Sequence, residues 1–111
     1  MSGRVRRNLS LLKKLLQAKP HQRRVILQTG SDELILSLCE VALNILRGAI
    51  PLTTGQYKTL VKKKSLIKLI ADKKIGVSKK RRTINQQGGF ILPLLSVAIP
   101  FITSLIASRR G

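Results

Sequence analysis

Apart from its cations, this chain contains few side chains that could do chemistry. His21 is the only histidine, Cys39 is the only cysteine, and the acids are Asp32, Glu33, Glu40 and Asp72. A catalytic or zinc centre needs several such groups together. We therefore expect no enzyme activity, no metal site and no cofactor. Because Cys39 lies in the apolar run 34–46, we predict that it is a small buried core residue.

The cations form the dominant chemical feature of the sequence. The chain has 22 Lys and Arg residues and a formal net charge of +18. An excess of this size suits a phosphate polymer or an anionic membrane surface. Tyr57, Phe90 and Phe101 are the only aromatic residues, too few for recognition by base stacking. The composition favours contact with the phosphate backbone, which needs only cations.

The sequence divides into three parts by composition. Residues 1–76 are predicted to form a basic helical domain, residues 77–89 a basic linker with a Gly-Gly pair, and residues 90–111 an apolar segment that ends in an Arg pair. We predict an all-α fold: a small bundle of about four short helices, then the linker and a separate apolar C-terminal helix. The basic N-terminus lacks an apolar stretch long enough for a signal peptide, so we do not expect secretion.

Capping signals mark the four predicted helices. Asn8 is a candidate N-cap for a first helix of leucines at helical spacing, and Pro20 suits the first turn of a second. Ser31 and the two acids after it predict the start of a third helix, with Gly48 after its end. That helix is apolar on most faces and is expected at the centre of the bundle. Thr53 predicts a capping box for the fourth.

The fourth helix, to about residue 73, is predicted to have one buried and one cationic face. Its buried stripe would consist of Tyr57, Leu60, Val61, Ile67, Ile70 and Ala71. Its cations are Lys58, Lys62, Lys63, Lys64 and Lys68, with Lys73 and Lys74 at its end. A face that is merely solvated usually alternates charge sign, but this one has no acid before Asp72. We therefore interpret it as a nucleic-acid-binding surface.

A second dense group of cations lies in the predicted linker. This uninterrupted run consists of Lys79, Lys80, Arg81 and Arg82. Such a run is typical of a nucleic-acid contact or of a nuclear localisation signal, and both need only exposed cations. A solvated linker without a role is the alternative.

The C-terminal segment, residues 90–107, is apolar and reaches the lower limit of about 17 residues for a membrane-spanning helix. Three interpretations stay open: it inserts in a membrane, it docks on a partner such as a capsid protein, or it folds back on its own domain. Its candidate membrane or partner contacts are Phe90, Ile91, Leu92, Pro93, Leu94, Leu95, Pro100 and Phe101.

The order of basic run, Gly88-Gly89 and the sequence Phe90-Ile91-Leu92-Pro93-Leu94-Leu95 resembles the C-terminal region of the adenovirus core protein X precursor. Residues 19–24, 31–47 and 50–53 and the Lys-rich fourth helix are similar to a small protein of Polinton (Maverick) elements, which are virus-like transposons. The resemblance implies a minor virion protein that packs DNA. It also implies cleavage after Gly89 by an adenovirus-type cysteine protease. Gln86 departs from that pattern, because the family has Met, Ile or Leu there.

The main hypothesis is a non-enzymatic, largely sequence-nonspecific protein that binds and condenses double-stranded DNA in the core of an adenovirus-like virus or Polinton element. Its expected locations are the virion and the host nucleus, with capsid proteins as further partners. The alternative is a membrane-active or membrane-anchored minor capsid protein that acts through residues 90–107. A ribosomal or chromatin protein is a third hypothesis, but the long uncharged tail argues against it.

Overall fold

The computed structural model describes residues 3–86 and 88–110, which contain eight α-helices and no strand. The helices are α1 (Gly3–Arg7), α2 (Leu9–Gln17), α3 (Pro20–Thr29), α4 (Asp32–Leu46), α5 (Thr54–Val61), α6 (Lys64–Ala71), α7 (Val77–Gln86) and α8 (Ile91–Arg110). A 3₁₀ turn, Gly88–Phe90, precedes α8. The predicted all-α class is confirmed, although this part of the chain contains more than the expected four bundle helices.

Most of the predicted helix ends are formed by the expected local contacts. The Ser31 hydroxyl accepts a hydrogen bond from the Leu34 amide at 3.4 Å, which caps α4. Gly48 has a φ of 77°, a conformation that glycine adopts without strain. Thr53 and Gln56 form the reciprocal capping box of α5. Asn8 takes the N-cap position of α2 as predicted, but its side chain makes no capping bond and donates instead to the Arg4 carbonyl.

Helix α4 is the centre of the fold, as predicted from its apolar faces. It packs against α1, α6, α7 and α8. Its fully buried residues include Leu34, Ile35, Leu38, Val41 and Ala42. Cys39 is also buried, as expected. The remaining contacts between helices are α2 with α8, α3 with α7 and α5 with α8, so that the short helices form a layer around α4.

The predicted fourth helix is two helices in the structure. The chain turns at Lys62 and Lys63, and α5 then packs on α8 whereas α6 packs on α4. Because the two halves face different neighbours, one continuous buried stripe is not formed. Tyr57 and Val61 were expected in that stripe, but they are 56% and 42% exposed. Leu60, Ile67, Ile70 and Ala71 are buried as predicted.

The basic segment expected as a linker is helical. Helix α7 covers most of it and packs against α3 and α4. Ile84 is fully buried and Val77 is partly buried, and their separation of seven residues places them on one face of the helix. The burial of this face explains why a segment so rich in cations is ordered.

Helix α8 folds back on the bundle, which was one of the three open interpretations. It packs against α2, α4 and α5, so the expectation of a separate C-terminal helix is wrong in this structure. Its buried face includes Ile91, Leu94, Leu95, Ala98 and Ile102. Pro93 lies in the first turn, where an amide hydrogen is not needed, and only Pro100 interrupts the helix interior. Pro100 faces solvent.

Candidate nucleic-acid interface

Three of the four acids are held in ion pairs on the α4 side of the molecule. The Arg4 guanidinium donates to Glu33 at 3.0 Å and to Glu40 at 3.1 Å. The Arg81 guanidinium donates to Asp32 at 2.8 Å. These carboxylates lie in the first turn and the middle of α4. The acids therefore help to build the fold and leave much of the positive charge uncompensated.

The cations of α5, α6 and the turn between them are all on the surface. Lys58, Lys62, Lys63, Lys64 and Lys68 are exposed, as the sequence predicted. Lys58 and Lys62 are four residues apart, and so are Lys64 and Lys68. This spacing places Lys64 and Lys68 on one face of α6, with Cβ atoms about 5–6 Å apart, whereas Lys62 lies in the turn directly after α5. No acid occurs between residues 41 and 71. We call these five exposed lysines, which no acid of the same segment interrupts, the α5–α6 lysine surface.

Two further lysines continue the positive charge beyond α6. Lys73 and Lys74 are exposed in the turn that leads to α7. The neighbouring Asp72 carboxylate accepts a hydrogen bond from the Lys74 backbone amide at 2.9 Å, which shapes the turn. Asp72 is exposed and lies beside these lysines, so the turn is less strongly positive than the α5–α6 lysine surface.

Helix α7 separates the four cations of the basic run into two kinds. Lys79 and Arg82 are exposed and, being three residues apart, share a face. Lys80 is only 3% exposed. Arg81 donates to the carbonyls of Leu27 and Gly30 at 2.9 and 2.7 Å, besides its bond to Asp32. Lys80 and Arg81 are thus directed into the protein, and of this run only Lys79 and Arg82 remain as candidate contacts to the backbone of a DNA duplex.

The structure also exposes cations that the predicted site did not include. They lie on α1, α2 and α3 and around the end of α4: Arg6, Arg7, Lys13, Lys14, Lys19, Arg24 and Arg47. The signal that could have revealed them is the absence of any acid before Asp32. Positive charge therefore covers the N-terminal helices as well as the predicted faces.

The Gly-Gly pair lies in the 3₁₀ turn that starts α8. Gly89 is exposed, but Phe90 is only 1% exposed and Ile91 is fully buried. A protease binds its substrate as an extended chain, so cleavage after Gly89 requires these two side chains to leave the core. Gln87, which precedes the pair, lies outside the described residues.

Helix α8 has the length and composition of a membrane-spanning helix over Ile91–Ser108, and 39% of that span is buried in the protein. Among the predicted membrane or partner contacts, Phe90, Ile91, Leu94 and Leu95 lie in the core, and Leu92, Pro93 and Phe101 are half-buried. The solvent-facing positions are small or polar: Ser96, Pro100, Thr103, Ser104, Ala107 and Ser108. The apolar surface of this helix is therefore directed mainly into the bundle.

Cys39 lies beside Lys80, and burial raises the pKa of its thiol although the nearby Lys80 ammonium lowers it in part. The thiol is consequently neutral at pH 7 and a poor nucleophile. Within residues 3–86 and 88–110, no group of three His, Cys, Asp or Glu residues is placed to hold a metal ion.

Comparison of the chain with protein families, with curated proteins and with solved structures finds no significant match.

Proposed function

We propose that this protein binds double-stranded DNA through its phosphate backbone, largely without regard to sequence, and that it packs DNA as a minor core protein of a virus-like particle. The observation that carries the first part is the α5–α6 lysine surface, where exposed cations share helix faces and no acid intervenes. Ion pairing supports it, because Arg4 and Arg81 already engage three of the four acids.

The chemistry of the surface fits phosphate better than base edges. Lysine ammonium groups are flexible point charges that neutralise phosphates without fixing an orientation. Reading base edges requires side chains such as Arg, Asn or Gln positioned on an element that enters a groove. The exposed residues of α5, α6 and the turn between them are five lysines together with Thr54, Gly55, Tyr57, Thr59, Val61 and Ser65, and none of them is Arg, Asn or Gln. Binding governed by charge alone follows from this composition.

The assignment to a virion core depends on the order of the C-terminal residues. A basic run, Gly88-Gly89 and a Leu-Pro apolar segment follow one another as in the adenovirus core protein X precursor. The proposed locations are the virion and the host nucleus, and the proposed partners are DNA and capsid proteins. We further propose that an adenovirus-type protease cuts after Gly89 when Phe90 and Ile91 are released from the core.

Salt dependence of DNA affinity tests the binding proposal. If six to ten phosphates are contacted, the affinity falls roughly 10³- to 10⁵-fold between about 50 and 200 mM salt. Fluorescence anisotropy with two duplexes of unrelated sequence measures both the salt slope and the sequence preference. We expect the same steep slope for both duplexes. An affinity that does not change with salt, or that differs by orders of magnitude between the duplexes, would refute nonspecific phosphate binding.

A membrane function is a second candidate, which the composition of Ile91–Ser108 favours. The helix would leave the bundle and insert, while nearby cations bind anionic headgroups. Ser96 and Ser104 provide a test because both are exposed and their change to Asp leaves the packed state intact. A carboxylate near the centre of an inserted helix costs about 2.5–3.5 kcal/mol.

The experiment is flotation of the full chain with vesicles rich in phosphatidylserine. The membrane proposal predicts that Ser96→Asp with Ser104→Asp abolishes flotation at high salt. The control, Ser10→Asp with Thr29→Asp, changes the net charge equally at exposed positions of α2 and α3 and is expected to float like the unchanged protein. Equal behaviour of the two double variants would show that the association is purely electrostatic.

A further inference from the structure

A cleft between α1, α4 and the start of α7 contains a group of charges that the DNA proposal does not use. The cleft has a volume of about 410 Å³, and its polar lining comes from Arg4, Cys39, Glu40, Lys73 and Lys80. Ligand sites typically have volumes of roughly 300–1,000 Å³. Three of the four charged residues are cations: Arg4, Lys73 and Lys80. Arg4 is far from the two lysines in the sequence and comes beside them only in the fold.

Lys80 is the unusual member of this group. It is 97% buried as a residue, being 3% exposed, whereas lysines are rarely buried unless they are paired. Among the described residues, no carboxylate lies within 4.0 Å of its ammonium. Its ammonium influences the pKa of the Cys39 thiol in the same lining, and that sulfur is a weak acceptor that stays neutral because burial raises its pKa. An ammonium has three donors, so this weak acceptor leaves hydrogen-bonding capacity at the cleft.

The other charged residues of the cleft indicate which kind of ligand the remaining donors of the Lys80 ammonium would bind. Arg4 is already engaged by Glu33 and Glu40 through two of its nitrogens, which also reduces the repulsion that Glu40 exerts on an anion. Lys73 is exposed at the turn after α6, where its ammonium is able to approach a bound group from outside. A buried ammonium without a carboxylate and a second lysine in the same lining favour a ligand with negative charge and several acceptor oxygens.

We infer that this cleft binds a single phosphate group, held by Lys80 from inside and by Lys73 from outside. Phosphate satisfies the requirement because its oxygens accept bonds from several donors and its charge compensates the buried ammonium. The group would come from inorganic phosphate or a small phosphomonoester, or from the terminal phosphate of a DNA strand. The inference goes beyond the proposed DNA binding, since the α5–α6 lysine surface does not include Lys80.

Thermal unfolding with inorganic phosphate is the first test. Phosphate replaces chloride at constant ionic strength, so that general screening does not change. The unfolding temperature is expected to rise by about 5 °C at ten times the Kd and to increase further with the logarithm of the phosphate concentration. Lys80→Met removes the ammonium but retains most of the side-chain length, and we expect it to abolish the shift. Lys79→Met is the matched control, because Lys79 is exposed on the same helix and its loss should leave the shift unchanged.

The variant Lys73→Gln tests phosphate binding at the cleft even if Lys80→Met does not fold. Lys73 is exposed, so its replacement should preserve the fold and weaken phosphate binding at least several-fold. Equal unfolding temperatures in phosphate and chloride, or equal loss of the shift in Lys79→Met and Lys73→Gln, would overturn the inference.

DNA strands with and without a 5′-phosphate identify the source of the group. If a strand end occupies the cleft, the phosphorylated oligonucleotide binds more tightly and Lys80→Met removes the difference. If a small phosphate compound occupies it, inorganic phosphate still stabilises the protein and the two oligonucleotides bind alike. Affinity for long duplex DNA should be unaffected by Lys80→Met in either case. Loss of phosphate binding and loss of duplex binding are therefore separately observable.

Discussion

At the scale of single residues, neighbouring cations in the same run have opposite roles. Arg81 is bonded to two carbonyls and a carboxylate, whereas Arg82 is exposed. From the sequence alone, both residues are expected to contact phosphate. They differ only in which face of the helix carries each side chain, and the sequence of the basic run does not reveal this. Arg81 joins α7 to the junction of α3 and α4 and thereby supports the fold.

We expect Arg81→Met to destabilise the protein by about 2–3 kcal/mol. A hydrogen bond from a charged donor contributes about 1.5–3 kcal/mol, and we count the bonds to the Leu27 and Gly30 carbonyls as one contribution because the same guanidinium nitrogen donates both. The bond to Asp32 adds little because that carboxylate is 73% exposed.

Arg82→Met is the control for this prediction, with an expected change within about 0.5 kcal/mol because Arg82 is exposed. Urea unfolding measures both free energies of unfolding. Similar destabilisation by the two variants would contradict the structural role of Arg81.

At the scale of the helices, the two prolines of α8 provide a test of its packed, continuous form. Pro93 lies in the first turn, but Pro100 lies in the helix interior and removes a backbone hydrogen bond. In an exposed helix interior, alanine is about 3 kcal/mol more favourable than proline. Since Pro100 is exposed, we expect Pro100→Ala to stabilise the protein by about 1–3 kcal/mol.

Pro93→Ala should change the free energy of unfolding by less than about 1 kcal/mol, because the first turn needs no amide hydrogen there. Thermal and urea unfolding of the two variants give the comparison. Destabilisation by Pro100→Ala would show that the bundle requires the shape that proline gives α8.

Helix ends were predictable from sequence because their causes are local. Ser31 caps α4 and Thr53 with Gln56 caps α5, and each contact spans three residues. The break at Lys62 and Lys63 was not predictable from the pattern, because helical periodicity continues across it. It results from tertiary contacts, since α5 packs on α8 and α6 on α4.

The candidate site was also predictable only where local sequence pattern determines which residues are exposed. The lysines of α5 and α6 were recognised because they lie opposite apolar positions. Lys80 could not be separated from Lys79 without the fold, because Lys80 contacts Cys39 of α4 across a distance of forty-one positions in the sequence. Helix α7 was missed because its charge concealed the spacing of Val77 and Ile84.

At the scale of the whole molecule, 22 cations stand against four acids. The carboxylates of Asp32, Glu33 and Glu40 are paired with Arg4 and Arg81, and the lysines of the α5–α6 lysine surface are exposed. The central claim is that this surface is the principal DNA contact, rather than one part of a uniformly positive exterior. Two variants with the same change in net charge separate these descriptions.

The first variant replaces Lys58, Lys62, Lys64 and Lys68 with Gln, and the second replaces Lys13, Lys14, Lys19 and Arg24. All eight residues are exposed, so both proteins should fold. Losing four phosphate contacts lowers the salt slope by about 3.6 and the affinity roughly 10²- to 10³-fold at about 150 mM salt.

Anisotropy titrations with one duplex decide between the descriptions. We predict that the first variant shows the full loss of affinity and slope, and that the second loses less than about tenfold in affinity. Equal losses in the two variants would contradict the claim that DNA binds principally at the α5–α6 lysine surface.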